Sequence, residues 1–497
     1  MKGMSLDAME RSPMSEAAES ERCVGTKHVL QAGQTQLRYD AYAGVVCVRR
    51  DDHSPLADVF YVAYRAETEP GATPRPITFL FNGGPGSASL WLNIGGFGPK
   101  RAPTATPEAT LPAPYLFGDN PHTLLTSSDL VFIDAVGTGF SRLADGARPD
   151  EVWGVDQDVE VFARAITRYL TITGSWNAPR YLFGESYGTT RAAALVHRLQ
   201  NLGLDFNGVI LLSTLLNWAT TQPGLDQRYI NLLPSYAAAA WYHGKVKTET
   251  GSLHDFLREV RDFAQTDYAQ ALQLGDRLAP DAERVVATRL AGYLGMDPAE
   301  LGRRRLRVEM EEFRRDLLKA EAQVIGRFDS RFVAEHHYVI GTGSFDPATD
   351  DAATAGVNSA HLSSFHRHLA EDLAYRNDLH YRHLHNMTIS RAWEWHHQAP
   401  GIDEPLQVPN VALDLSAAMR RNPNLRVYFM GGVYDLATPF FGAEFDISHL
   451  YLGPRLRANV QFSWYESGHM TFVDEEVVAQ MAKDLAGFYA ETTRKPS

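Results

Sequence analysis

The pentapeptide Gly184-Glu185-Ser186-Tyr187-Gly188 spaces two glycines symmetrically about a serine. That G-x-S-x-G pattern is the nucleophile elbow, a sharp strand-to-helix turn that holds serine at strained φ/ψ and lifts its hydroxyl clear of a sheet. The context agrees: the apolar run Tyr181-Leu182-Phe183 precedes it and the helix-like TTRAAALVHRLQ follows. Glycine is needed at both flanks because neighbouring side chains would collide across the turn. The helix start behind the serine would aim backbone N–H groups at negative charge developing on a bound carbonyl.

A serine hydroxyl needs a base to take its proton and an acid to orient that base. On strand–turn–helix hydrolases both lie after the serine, on later strands. The loop behind NLRVYFM carries Asp435 and the loop behind VQFSWY carries His469. Ser186 would attack, His469 would take and return the proton, and Asp435 would fix the imidazole tautomer. Asp129 and Asp134 are rival acids, but they precede the serine and read as turn residues. Asn82-Gly83-Gly84-Pro85-Gly86 follows the apolar run ITFLF. No G-K-[ST] or G-x-G-x-x-G accompanies it, so a phosphate loop is the poorer reading. An oxyanion loop is the better one, its glycines letting backbone N–H groups approach a reacting carbonyl.

The elements that must position these residues can be read around them. LRYDAYAGVVCVRR and DVFYVAYRAE alternate like two antiparallel strands about the turn DDHSP. ITFLF, DLVFIDAVG, RYLFGESYG and GVILLS are short continuous apolar runs, as expected of strands buried on both faces. DVEVFARAITRYLTITG, by contrast, repeats its apolar residues at helical spacing. Alternating buried strands and amphipathic helices predict an α/β fold with a mostly parallel central sheet. From 219 to about 401 the rhythm becomes helical, including a helix over LRVEMEEFRRDLLKAEAQVIGRF, with an irregular stretch around 330–356. NLRVYFM, VQFSWYESGH and a closing helix at EEVVAQMAKDLAGFYAETT then resume the sheet. The expected organisation is a mobile tail over 1–30, a core over 31–218 and 402–492, and a helical cap over 219–401.

Composition narrows the class. The chain has 497 residues, with Lys+Arg 47 against Asp+Glu 60 and a net charge of −13. The 44% hydrophobic and 22% charged fractions are globular values, and the acidic balance argues against a nucleic-acid partner. Cys23 and Cys47 cannot make a disulfide framework and read as two thiols. Asp7, Glu10, Arg11 and Glu16 interrupt any secretory apolar run, and no window suits a membrane span. As written, the sequence predicts a cytoplasmic protein with no membrane partner. Eight histidines between His361 and His397 lack an HExxH pattern, so neither metal nor cofactor is expected. Arg303, Arg304, Arg305 and Arg307 running into Glu309, Glu311 and Glu312 predict a solvated helix with internal ion pairs. Trp393 and Trp395 fit either a wall over the site or ordinary packing. Asn386-Met387-Thr388 is a formal glycosylation sequon.

Taken in order, FNGGPGSAS, DAVGTGFS, GESYG, YDLATP and SGHM resemble the serine carboxypeptidase family. The matching blocks run from about 37 to 475, without a match in the cap. The resemblance implies an α/β-hydrolase fold and catalytic Ser186, Asp435 and His469. It implies an oxyanion hole from the backbone N–H groups of Gly84 and Tyr187. It further implies that Asn82, Gly83 and Glu185 grip the free C-terminal carboxylate of a peptide substrate, with Met470 lining that subsite. Gly188-Thr189 replaces the family's usual Ala-Gly, Ser87 stands where a cysteine is common, and the family's disulfides cannot form. Family habit would place the protein in an exported compartment. A proline iminopeptidase-like aminopeptidase or an esterase can use the same elbow and GGPG loop, and a hydrolase-fold binding protein can keep the fold without the chemistry. Glu185 beside the nucleophile, together with Asn82, suits an anionic chain end rather than an ammonium. Side-chain specificity and oligomeric state have no signal in the sequence.

Overall fold

The computed structural model describes residues 21–33, 35–69, 71–246, 251–335 and 351–493. A ten-stranded sheet runs through it. Its strands are β1 (Cys23–Ala32), β2 (Thr35–Arg49), β3 (Pro55–Ala66), β4 (Ile77–Phe81), β5 (Asp129–Ile133), β6 (Arg142–Leu143), β7 (Arg180–Glu185), β8 (Gly208–Leu212), β9 (Arg426–Gly432) and β10 (Val460–Tyr465). The spatial order is β1-β2-β3-β5-β4-β7-β8-β9-β10, with β6 pairing β3. β1, β2 and β3 are antiparallel, as is the β3–β5 junction, and every pairing from β5 to β10 is parallel. This is the mostly parallel α/β sheet that the apolar runs predict.

Two-sided burial explains those runs. β4 and β8 are buried at every residue. Along β4, Phe79 and Phe81 enter one core with Phe162 and Leu195, while Leu80 enters the other with Phe97 and Leu485. Helices α1 (Val155–Thr173) and α2 (Tyr187–Asn201) cover the first face, and α6 (Glu475–Thr492) helps to cover the second. Strand order reverses at β4, which has β5 on one side and β7 on the other. The loops leaving β4 and β7 therefore diverge and open a crevice at the carboxyl ends of the strands.

Three expectations need correction. Cys23–Ala32 pairs along its length with β2, so the sheet begins inside the stretch read as a mobile tail; residues 1–20 lie outside the described residues. The run LRVEMEEFRRDLLKAEAQVIGRF is α-helical only over Met310–Asp316, makes a 3-10 turn at Lys319–Glu321 and then forms a short strand, Gln323–Ile325, paired with Val333–Glu335. The arginine-rich run is not one helix either: Arg304 bridges Glu300, Glu312 and Asp316, while Arg307 reaches Asp226. The irregular stretch falls largely on 336–350, outside the described residues, and helix α4 (Ala352–Arg367) begins within its end.

Between β8 and β9 the chain is mainly helical, starting with α3 (Gln227–Tyr242), and it builds a third core around Leu233, Phe256, Leu290 and Phe313. Tyr434 and Leu436 belong to that core, so the loop behind β9 is gripped by the helical segment. The end of the segment runs back over the sheet, bridging Ser87 to Leu384, Gly139 to Arg382 and Gly154 to Glu394. No described helix is long and apolar enough to cross a membrane.

Candidate active site

Ser186 follows β7 directly and stands immediately before α2, at φ 59° and ψ −129°. Its amide donates to the Leu212 carbonyl of β8 at 2.9 Å, which fixes the turn to the neighbouring strand. The flanking glycines are needed for space. A Cβ on Gly184 would lie 2.0 Å from the Gly188 carbonyl oxygen, a contact no side chain could relieve. Gly83 is pressed equally close, since its Cβ would lie 2.4 Å from the amide nitrogen of Tyr187. The Asn82–Gly86 loop thus lies against the first turn of α2, as the adjacency of β4 and β7 requires.

Arg191, one turn into α2, ties these pieces together. It is completely buried, pairs with Asp158 of α1 at 2.6 Å and donates to the Asn82 carbonyl at 2.9 Å. Its guanidinium lies over the Phe162 ring at 4.3 Å. Nothing in the sequence pattern singled it out.

Asp435 and His469 meet across the loops behind β9 and β10. His469 Nδ1 lies 2.7 Å from Asp435 Oδ2, and both side chains are buried. The Asp435 carboxylate also accepts from the amides of Ala437 and Thr438 and from the Thr438 hydroxyl. Burial disfavours the charged imidazole, but Asp435 and then Glu185 outweigh it and raise the His469 pKa above its usual value. Ser186 and His469 line one cavity of about 350 Å³ with Asn82, Gly83, Gly84 and Tyr187. They are not hydrogen-bonded to each other, a looseness common before a substrate draws the groups together.

Glu185 is buried beside this centre. Asn82 Nδ2 donates to its Oε2 at 2.7 Å, and its Oε1 lies 3.5 Å from His469 Nε2. The Asn82 amide is itself oriented, because its oxygen accepts from the Leu92 amide. Burial raises the Glu185 pKa; His469, Asn82 and the Gly83 backbone only partly offset it. Met470 lines the same cavity. The rival acids are engaged elsewhere: Asp134 accepts from the Ser89 amide and Asp129 pairs with Arg75.

The helical segment supplies parts that the motifs did not reveal. Residues 327–331 strap the loops behind β9 and β10: Leu436 donates to the Arg327 carbonyl, Ser330 to Tyr434, and His469 to Phe328 at 2.6 Å. Arg327, Phe328, Asn386 and Met387 line the cavity. Asn386 lies against Gly86 and faces Ser87, so the sequon asparagine is part of the site wall. Trp393 and Trp395 pack on Tyr187, and Trp395 also on Trp218, buttressing the cavity from behind. The histidines disperse. His361 is buried and pushed down to about 3 by burial and the nearby Arg101 charge, His368 bonds Asp372 and Tyr64, and His397 bonds Asp156 and Asp414. No group of three metal-binding side chains occurs among the described residues.

An elbow serine, a GGPG loop on the adjoining strand and an Asp–His pair behind the last two strands together define an α/β-hydrolase fold. A model of the serine carboxypeptidase family matches residues 32–273. Serine carboxypeptidase-like 45 and 46 of Arabidopsis thaliana are 27% and 25% identical over 225 and 228 residues, 44% of this chain and 43% of each relative. The matched region thus spans less than half the length of those relatives. The crystal structure of a prohormone-processing carboxypeptidase from Saccharomyces cerevisiae shares the fold, with a TM-score of 0.52 at 15% identity over 91% of both chains. Over these residues the chain is similar to serine carboxypeptidases, in agreement with the resemblance read from its motifs.

Proposed function

We propose that the protein is a serine carboxypeptidase that releases C-terminal residues from peptides through an acyl-enzyme. Ser186 Oγ attacks the scissile carbonyl while His469 Nε2 takes its proton, and Asp435 holds the Nδ1–H and stabilises the imidazolium. The N–H groups of Gly84 and Tyr187 receive the oxyanion. His469 then protonates the departing amine, and water activated by the same imidazole hydrolyses the ester. The free carboxylate of the substrate is received by Asn82, the Gly83 N–H and a Glu185 that keeps its proton, with Met470 as apolar wall.

The observation that carries this reading is the buried Asn82–Glu185 pair at 2.7 Å, in the same cavity as Ser186. A carboxyl whose pKa is raised by burial can donate a hydrogen bond to an anionic chain end. An aminopeptidase would need the opposite, a carboxylate kept charged for an ammonium. The test compares a blocked dipeptide with a free C-terminus, its C-terminal amide, and an unblocked aminoacyl amide. The free acid should be cleaved best. Preference for the aminoacyl amide would overturn the assignment.

A further inference from the structure

Arg327 brings a cation into the cavity that the reaction described above does not use. It follows the short strand Gln323–Ile325 and is anchored through its backbone, whose amide donates to Asp351 at 2.5 Å and whose carbonyl accepts from Leu436. Its guanidinium has no ion-pair partner among the described residues, and its buried Nε makes no hydrogen bond. An arginine stays charged at any working pH, and this half-buried guanidinium, set over the Phe328 ring at 5.5 Å, carries its charge into the cavity without a counter-charge. The carboxylates near enough to influence it are Glu311, Asp351 and Asp435. Each is engaged elsewhere: Glu311 with Arg314, Asp351 with Arg314 and three backbone amides, Asp435 with His469 and Thr438.

Its position shows which part of a substrate would meet it. Arg327 lines both the cavity holding Ser186 and a second cavity of about 260 Å³, and Leu215, Thr221, Ala437 and Thr438 are shared by the two walls. Asn82, Gly83, Glu185 and Met470 line only the first. Arg327 therefore stands on the flank leading away from the Asn82–Glu185 pair. With the released residue held at that pair, this flank receives the other half of the substrate. Of the second cavity's other charged groups, Arg228 pairs with Glu309, while Asp446 accepts from the amides of Leu216 and Asn217 through Oδ2 only and is pushed up to about 7 by burial.

We infer that Arg327 is a specificity residue that binds the side-chain carboxylate of the substrate residue supplying the scissile carbonyl, so that peptides with Glu or Asp at the penultimate position are preferred. The inference rests on the carboxypeptidase reading for its orientation and on Ser186 for its chemistry. A planar guanidinium fork with free donors matches a carboxylate in a way that a lysine or an amide would not.

The test uses N-blocked dipeptides ending in free leucine, with Glu, Gln or Lys at the penultimate position, at low ionic strength. The intact enzyme should favour Glu over its isostere Gln by roughly tenfold in kcat/KM, equivalent to about 1.4 kcal/mol. In Arg327→Met the Glu/Gln ratio should fall to near one, and in Arg327→Glu the preference should pass to Lys. Fluorophosphonate labelling of Ser186 checks that each variant is folded. Should Arg327→Met fail to label, Arg327→Lys, which keeps the charge without the fork, should retain a reduced Glu preference. A mirrored series with leucine penultimate and Glu or Gln terminal should be indifferent to Arg327. A Glu/Gln ratio at or below one in the intact enzyme, survival of the ratio in Arg327→Met, or a response confined to the mirrored series would each overturn the inference. Methyl esters of the same blocked Glu and Gln separate this from failure of the carboxypeptidase reading. They use Ser186 and the acyl flank but no free C-terminus. An Arg327-dependent Glu preference on esters sustains the inference even if peptides resist hydrolysis, and its absence there defeats it.

Discussion

At Ser186 the backbone occupies a region that costs on the order of 1–3 kcal/mol for a residue with a side chain, and the gain is a hydroxyl projected into the cavity. Replacing it leaves the turn but removes the hydroxyl proposed as nucleophile. Ser186→Ala should lower kcat by about 10⁶-fold with an unchanged thermal midpoint, and a fluorophosphonate should label Ser186 alone in the intact enzyme. Asp435→Asn should cost roughly 10⁴ in kcat by presenting the wrong imidazole tautomer. Asp134→Asn should cost far less, since Asp134 serves the Ser89 amide; the reverse ranking in steady-state kinetics would move the acid to the earlier strand. Glu185 sets a second expectation. Its pKa is raised, mainly by burial, so in the proposed role the proton it would share with a substrate carboxylate is present at low pH and lost as pH rises through the raised pKa. For free-acid peptides kcat/KM should therefore fall on the alkaline side. Esters with a blocked C-terminus need only a neutral His469, whose pKa is also raised, and their rate should climb over the same range. Profiles for the two substrates should separate, and Glu185→Gln should flatten the alkaline fall for peptides; superimposable profiles would contradict the role.

At the scale of the elements, the buried Arg191–Asp158 pair couples α2 to α1 and holds the carbonyl of Asn82. Arg191→Met leaves Asp158 buried without its partner, which should cost about 3–5 kcal/mol in denaturant unfolding. Arg191→Met with Asp158→Leu removes both charges and should recover most of that loss. Activity should recover less than stability, because the Asn82 carbonyl stays unheld. The wrongly read helix after Leu306 belongs to this scale too. Arg305 and Leu306 both adopt positive φ, and Leu306 and Val308 are buried in the third core, so packing overrides a pattern with helical spacing.

Across the whole molecule, His397 fastens the returning end of the helical segment to the sheet's covering helices. It sits between Asp156 of α1 and Asp414 of helix α5 (Ala412–Arg421), at 2.6 and 2.7 Å. Burial works against its charge, yet the hydrogen bonds and charges of the two aspartates raise its pKa to about 9. A raised folded value means the stabilisation is fully present below the unfolded pKa of about 6.5 and is lost as pH climbs through 9. The thermal midpoint should decline over that window. His397→Gln should lower it most near pH 6 and least near pH 10, whereas a pH-independent gap would show that the imidazolium contributes nothing.

Strand-length apolar runs, the elbow, the GGPG loop and the pairing of Asp435 with His469 behind the last two strands were legible in the chain, because local sterics and two-sided burial impose residue types directly on short segments. The closing helix and the parallel sheet followed from the same periodicities. The strand at Cys23–Ala32 was not legible, since an edge strand with one exposed face needs no strong apolar pattern, and only pairing with β2 defines it. Arg191, Thr438, the 327–331 strap and Arg327 were equally hidden. Their roles depend on what a distant part of the chain places opposite them: Asp158 across two helices, His469 across two loops, an unpaired cation between two cavities. Charge compensation and packing between segments far apart in sequence are properties of the folded arrangement, and no local residue pattern encodes them.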